Sequence, residues 1–554
     1  MSKPDSGWWA VLLSAPLLGY GTYYFRGFVQ DDAFIYLRVA QVFLEHGNLG
    51  YNPGVRVEAF TGFLWQWLCI GILKLHLPPI VTLKIISFIL ALGTQYFLYK
   101  LSLQVLQSGW WAMGITLLLA LYPPRVLWFS SGLEMELFLF SVVWASAAFI
   151  KAISVNTTQG FYRVSLVLAF AVLSRPEALI LLAAVLVALW AEKRTRRLEY
   201  VLAILTLPVI VFSGLTVFRY IYFGLPLPNT YYAKAAGGIW LMKKGVYALR
   251  DFGYRNFNTV FTTFSLFGWL LLFGEKRRKS EAIFLSTGWS GFVLHYLKSG
   301  GDLMAEDRLL LPACPSMLIS AGVFAQNMAQ WLNQWLTSLS RREYLGWMPY
   351  FLTIALYGAA GFHYYNFKWK HELLGYKEVL DALNSCHGQI GRYMNSRALP
   401  GDKAVVTDAG MTAWQAPNVY FIDFLGLGDT TTSQIFYRNN FIPWIYTYCF
   451  WKEACDKAHK NVLRDMNHYF LKEYPRWVVC NLICKENSKE QKELLNAVND
   501  LPDTIPPSFV QHIIFWSYFS VFNNDSIRIQ YKPILFYAYN PTYYLMLVEK
   551  RKLP

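Results

Sequence analysis

Apolar stretches recur through the first two-thirds of this chain, each near the length a helix needs to cross hydrocarbon, about 17 to 25 residues. They lie at 7–25, 62–76, 80–105, 110–128, 135–151, 162–173, 177–190, 201–222, 259–273, 281–297, 309–331 and 345–365. With 55% hydrophobic and 15% charged residues over 554 positions, the chain has more apolar surface than one soluble core can cover. The expected architecture is a polytopic α-helical membrane protein of about 11–13 transmembrane helices. Pro123-Pro124 interrupts the fourth stretch, so a split helix or half-crossing is expected there. The first stretch lacks a small-residue cleavage site and reads as a retained helix.

The net charge of +15 does not form a nucleic-acid groove. Its basic residues cluster in short loops between apolar passes, at Lys193-Arg194-Thr195-Arg196-Arg197, Lys276-Arg277-Arg278-Lys279 and Arg341-Arg342, the pattern of cytoplasmic loops. That orientation puts Asp31 and Asp32, the segments around Arg175, 223–258 and 298–308, and everything after Tyr365 on the opposite, outer face. Residues 1–365 are the expected membrane domain. From 366 to 554 the composition becomes that of a soluble domain, with short apolar runs at 404–410, 419–423 and 476–480 alternating with helical stretches at 378–395 and 488–499. A small α/β domain on the outer face is expected.

Five of the seven cysteines, Cys386, Cys449, Cys455, Cys480 and Cys484, fall in that domain, where export permits disulfides. Their spacing with His459 and His468 matches no tetrahedral zinc pattern. There is no P-loop, no GxGxxG turn after a strand and no GxSxG elbow, so no nucleotide cofactor is expected. A membrane enzyme without a nucleotide cradle points to an activated, lipid-linked substrate.

Polar residues concentrate in the outward loops. Val29-Gln30-Asp31-Asp32 opens an amphipathic helix that runs to Glu45-His46 and stops at Gly47. Acids at a membrane face are functional candidates by default, although one of them also suits a helix cap with a salt bridge to Arg38. The other loops carry Asn52 to Gly62, Ser130-Ser131-Gly132-Leu133-Glu134-Met135-Glu136, Ser174-Arg175-Pro176-Glu177, Leu225 to Lys234 and Ser299 to Arg308.

The strings DDAFI, NPGxRVEAFTGFLW, SSGLEM, SRPEA, GLPLPNTYYAK, GGDxMxxxR, TDAG and FIDFLGLGD, in this order from Asp31 to Asp429, resemble bacterial glycosyltransferases of the GT-C superfamily related to the mycobacterial terminal arabinofuranosyltransferase family. The resemblance implies a GT-C fold and transfer of a pentofuranosyl unit, D-arabinofuranosyl by that likeness, from a polyprenyl phosphate. It places the reaction on the periplasmic side of a bacterial inner membrane, with an exported C-terminal domain helping to position the acceptor. The run Ala305-Glu306-Asp307 inside GGDxMxxxR is more acidic than such relatives lead one to expect.

Residue chemistry fits that reaction independently. Transfer from a phosphate donor needs a base for the acceptor hydroxyl and cations or a metal at the departing phosphate. Asp31 and Asp32 are the expected catalytic pair, and adjacent acids also suit Mg²⁺ or Mn²⁺. Arg175, Lys234 and Arg308 are the candidate phosphate clamps. Glu58, Thr61, Glu134, Glu177, Asn229, Tyr231, Tyr232 and Asp302 complete the expected donor site. Each has a structural alternative: Glu58 pairing with Arg56, Arg175 as an interfacial arginine at a helix start, Glu134 as a helix-start charge, and Tyr231 and Tyr232 as an aromatic belt. Asp408, Asp423 and Asp429 are expected to face the acceptor, a glycan or protein, although strand-end aspartates are also common turn residues. The competing reading is a lipid-linked sugar transporter or flippase. A transporter favours charges near mid-membrane in interrupted helices, whereas here they gather at one face.

Overall fold

The computed structural model describes residues 7–191, 197–236, 238–254, 258–275, 278–302, 304–340, 374–441, 452–483, 504–505, 522, 525–538 and 543–550. Helices occupy every apolar stretch named above except 345–365, which lies outside the described residues. In chain order they are α1 (Gly7–Tyr24), α2 (Asp31–His46), α3 (Phe63–Lys74), α4 (Pro79–Leu106), α5 (Gly109–Leu121), α6 (Pro123–Phe129), α7 (Met135–Val155), α8 (Thr158–Ser174), α9 (Leu179–Ala191), α10 (Leu198–Phe223), α11 (Asn229–Ala235), α12 (Gly238–Tyr254), α13 (Asn258–Gly274), α14 (Lys279–Lys298) and α15 (Cys314–Ser340). Among the described residues four helical stretches, including α4, α7 and α10, are long and apolar enough to cross a membrane alone, or five if one bent pair counts as a span.

That bent pair is α5 and α6, which meet at 59° across Tyr122, as the two prolines require. The break frees carbonyls in a dry environment, and Arg125 reaches one of them at Leu119. Arg125 is itself neutralised by Glu136 at 2.7 Å, and Thr94 donates to the same carboxylate. Lys84, buried in α4, donates to the carbonyls of Phe25, Arg26 and Phe28 at 3.0, 2.6 and 2.7 Å. It thereby locks the turn that leads from α1 into α2.

The C-terminal unit contains a five-stranded sheet of order β2-β1-β3-β5-β4. Its strands are β1 (Lys403–Val406), β2 (Tyr420–Asp423), β3 (Trp477–Ile483), β4 (Tyr531–Ala538) and β5 (Tyr543–Lys550), so the three expected apolar runs are strands. β1 pairs parallel with β2 and β3, and the β3-β5 and β5-β4 pairs are antiparallel. Side chains alternate across it as the pleat dictates. Ala404, Val406, Phe421, Trp477 and Val479 join the core shared with the apolar bundle, together with Ile390 and Met394 of the Leu374–Arg397 helix. Val405, Ile422, Val478 and Cys480 face a second core under Val462, Met466 and Phe470 of the Lys452–Glu473 helix. The carboxyl ends of β1 and β2 carry the TDAG and FLGLGD loops, the usual position for ligand-facing loops beside parallel strands.

The expected helix at 488–499, the boundary at 366 and the Arg341-Arg342 loop lie outside the described residues. Cys69, Cys314, Cys386 and Cys480 are buried free thiols, and the other three cysteines fall outside the described side chains.

Candidate functional site

Helix α2 begins after Gln30, whose side chain makes no capping bond, and ends at Gly47 in the left-handed region (φ 73°). Asp31 and Asp32 are therefore the first two helical residues, and neither is the cap. Arg38, offered above as a partner, instead donates to the carbonyls of Tyr51 and Val419. Successive helical side chains project about 100° apart, so the two carboxylates enter different surroundings.

Asp31 is buried against the C-terminal unit. Its oxygens accept the backbone N–H groups of Gly410 and Met411 at 2.7 and 2.8 Å. A Cβ at Gly410 would stand 2.6 Å from the Asp31 carboxyl, which explains the glycine of TDAG. Burial pushes the Asp31 carboxyl up to about 6; His387 and the Met411 N–H oppose this, while Asp408 and Asp32 add to it. His387, itself buried, lies 2.7 Å from the Thr412 hydroxyl and 3.3 Å from Asp408. Asp31, expected as one of a catalytic pair, is thus buried and latches the bundle to the TDAG loop.

Asp32 lies near enough to Lys234 and Arg308 for its charge to act on both. Burial lowers the Lys234 ammonium below the usual lysine range, and the charges acting on it are Asp32, Arg308, Asp302 and Arg175. Arg308 feels Asp302, Asp32, Arg175 and Glu134. Arg308 is anchored at 3.1 Å by Asp302, whose other oxygen accepts the Met304 N–H, and its guanidinium lies 5.2 Å above the Trp128 ring. Arg175 is clasped by Glu134 at 2.5 Å and Glu177 at 2.7 Å. It is thus not a lone arginine reaching for water. Five loops distant in sequence meet here: the α1–α2 turn, the start of α7, the α8–α9 junction, α11 and the α14–α15 connection.

Other expected residues hold this arrangement together. Glu58 is paired with Arg219 of α10 at 2.8 Å and not with Arg56, which lies over the Tyr222 ring. Thr61 contacts the Thr230 hydroxyl at 3.2 Å. The Asn229 amide, expected to hold a sugar, donates to the carbonyls of Gly426 and Leu427 at 2.7 and 3.0 Å and accepts from Ser433 at 2.6 Å. Replacing Asn229 with Ala is therefore expected to cost about 2 kcal/mol of stability, read as a lower unfolding midpoint in detergent, with donor affinity preserved.

Among the acceptor candidates, Asp408 lies beside His387 with its side chain 26% exposed. Asp423 and Asp429 do not face a ligand. Asp423 is fully buried and ties its own turn through the Leu425 and Gly428 N–H groups, and burial pushes it up to about 7. Asp429 caps the Thr430–Arg438 helix through Thr432 and accepts from Tyr469. No group of three His, Cys, Asp or Glu able to hold a metal occurs among the described residues.

Lys84, Arg219, His387, Asn52 and Asn384 were not legible as site residues. Asn52 bridges to both backbone groups of Phe421, and Asn384 donates to the Val29 carbonyl. For Lys84 and Arg219 a signal existed, since a cation inside an apolar helix demands a partner.

A family model described as a domain of unknown function (DUF8728) matches residues 377–534. The chain is 27% identical over 374 residues to the terminal β-(1→2)-arabinofuranosyltransferase of Mycobacterium tuberculosis, covering 59% of this chain and 58% of that protein's length. Among solved structures, ArnT from Cupriavidus metallidurans bound to undecaprenyl phosphate superposes with a TM-score of 0.52 at 14% identity, covering 77% of this chain and 88% of that one. An Archaeoglobus fulgidus oligosaccharyltransferase gives a TM-score of 0.47 at 11% identity, covering 89% of this chain and 70% of that one. The chain therefore shares the fold of ArnT from Cupriavidus metallidurans, an apolar helical bundle followed here by a C-terminal α/β unit, and over 58% of that protein's length its sequence is similar to a mycobacterial terminal arabinofuranosyltransferase.

Proposed function

We propose that this protein is a membrane glycosyltransferase that moves a pentofuranosyl unit, D-arabinofuranosyl, from a polyprenyl phosphate to a glycan or protein acceptor of the cell envelope. The observation that carries this reading is the gathering of sequence-distant charged loops, with Arg308 held by Asp302, Arg175 held by Glu134 and Glu177, and Asp32 acting electrostatically on Lys234 and Arg308. Similarity to an arabinofuranosyltransferase supports the sugar. The superposable ArnT was solved with undecaprenyl phosphate, which supports a donor of that chemistry. The basic-loop asymmetry supports an outer, periplasmic site covered by the domain from 366 to 554.

In this reading Asp32 takes the proton of the acceptor hydroxyl as its oxygen bonds to the anomeric carbon. The bond from that carbon to the phosphate oxygen breaks, and its electron pair leaves with the phosphate. Lys234 and Arg308 then meet the growing charge, with Asp302 fixing the Arg308 fork. Asp31 holds the TDAG loop and acts through position alone. Asp31 is buried and ties the TDAG loop, so a bound Mg²⁺ or Mn²⁺ ion would draw on the more open Asp32.

The test is to supply membranes containing the intact chain with a radiolabelled polyprenyl-phosphate arabinofuranose and follow label into polymer or protein. Transfer is expected, and Lys234→Ala should raise the donor KM about 10- to 100-fold, the loss of one charge-assisted contact, while acceptor dependence stays constant. Lipid scrambling without transfer would overturn the enzyme reading in favour of a flippase.

A further inference from the structure

We propose that Tyr231 and Tyr437 form a stacking corner that binds a sugar ring of the acceptor, a subsite that rests on the glycosyltransferase reading and extends it to a glycan acceptor. Tyr231 lies on α11 and Tyr437 on the Thr430–Arg438 helix, so the corner is closed only when the C-terminal unit sits on the bundle. The two rings are 6.4 Å apart and inclined at 50°, and both are open, at 39% and 43% exposure. Beneath them Tyr232 is buried and meets the Tyr437 ring edge-on at 5.0 Å, which fixes that ring's orientation. Both rings leave part of their surface open to solvent where α11 meets the Thr430–Arg438 helix.

Position and surroundings identify the occupant. Tyr231 and Lys234 are three residues apart on one helix and so occupy neighbouring places on its surface. The corner therefore lies beside Lys234 on the surface of α11. Its neighbours Arg438 and Asn440 are exposed and polar, which suits an aqueous ligand and not the acyl chains of a bilayer. Sugars present apolar C–H faces to aromatic rings and hydroxyl edges to polar groups, so a saccharide matches both features. The bond-forming hydroxyl of that glycan would extend past Lys234 toward Asp32.

The experiment uses the full chain in nanodiscs and a synthetic linear arabinofuranosyl hexasaccharide, without donor. Saturation-transfer NMR is expected to show contact to the sugar C–H protons, reduced about fivefold or more by Tyr437→Ala and by Tyr231→Ala and retained by Tyr437→Phe and Tyr437→Trp. In transfer assays Tyr437→Ala should raise the acceptor KM about tenfold with the donor KM constant. Both residues are exposed and Tyr437 packs edge-on against Tyr232, so unfolding midpoints should fall slightly at most. Unchanged saturation and acceptor KM in Tyr437→Ala would overturn the subsite while leaving the transferase reading intact. Absence of any transfer by the unaltered chain would sink that reading instead, and the donor-free binding measurement would still decide the corner.

Discussion

Asp32→Asn should lower transfer about a thousandfold, within the range expected for removal of a positioned general base, while the protein unfolds at the same temperature as the parent. Asp32 is only partly buried and stands at the start of α2, so its amide is sterically equivalent and tolerable for the fold. The loss should fall on kcat, because the donor phosphate is held by Lys234 and Arg308. Steady-state kinetics with a labelled donor reads both quantities. A variant that keeps kcat and loses donor affinity would move Asp32 from the base to the binding of the donor.

Asp31→Ala should act on a different observable. Removing the carboxylate leaves the Gly410 and Met411 N–H groups buried without their acceptor, at about 1–3 kcal/mol each and so roughly 2–6 kcal/mol together. Hydrogen exchange should accelerate at residues 407–412 before it does so in the bundle, and activity should fall as the loop loosens. The pH dependence has a defined sign. Because burial raises the folded Asp31 to about 6, the folded chain binds this proton more tightly than the unfolded one. Stability therefore declines as pH rises from about 4 through about 6, by roughly 3 kcal/mol at most, and Asp31→Asn should abolish that slope. An unchanged slope in the variant would mean that other acids, Asp423 among them, carry the dependence.

Periodicity and hydropathy were enough to place the helices of the apolar stretches, the break at Pro123-Pro124, the stop at Gly47 and the runs that became β1, β2 and β3, because each follows from local chain chemistry, whereas α11 and α12 fall in 223–258, which was read as an outward loop. Asp32, Lys234, Asp302, Arg308 and Arg175 were candidates together because polar residues at one face of an apolar bundle have few places to go. What could not be read is which of two adjacent acids turns toward which neighbour. Asp31 and Asp32 differ only by a helical step, and the partners of Asp31 lie almost four hundred residues away. Asn229 and Glu58 were assigned to a sugar for the same reason: a buried amide or carboxylate looks identical in sequence whether its partner is a ligand or a distant carbonyl or guanidinium. Asp423 and Asp429 show the converse, since strand-end acids most often bind their own turn.

The most direct test of the account is a cryo-EM map of the intact chain in nanodiscs with a non-hydrolysable polyprenyl-phosphonate arabinofuranose. Phosphonate density between Lys234 and Arg308, with the anomeric carbon turned toward Asp32, is the predicted result. Density for the headgroup at the opposite end of the bundle, or away from all three residues, would contradict it.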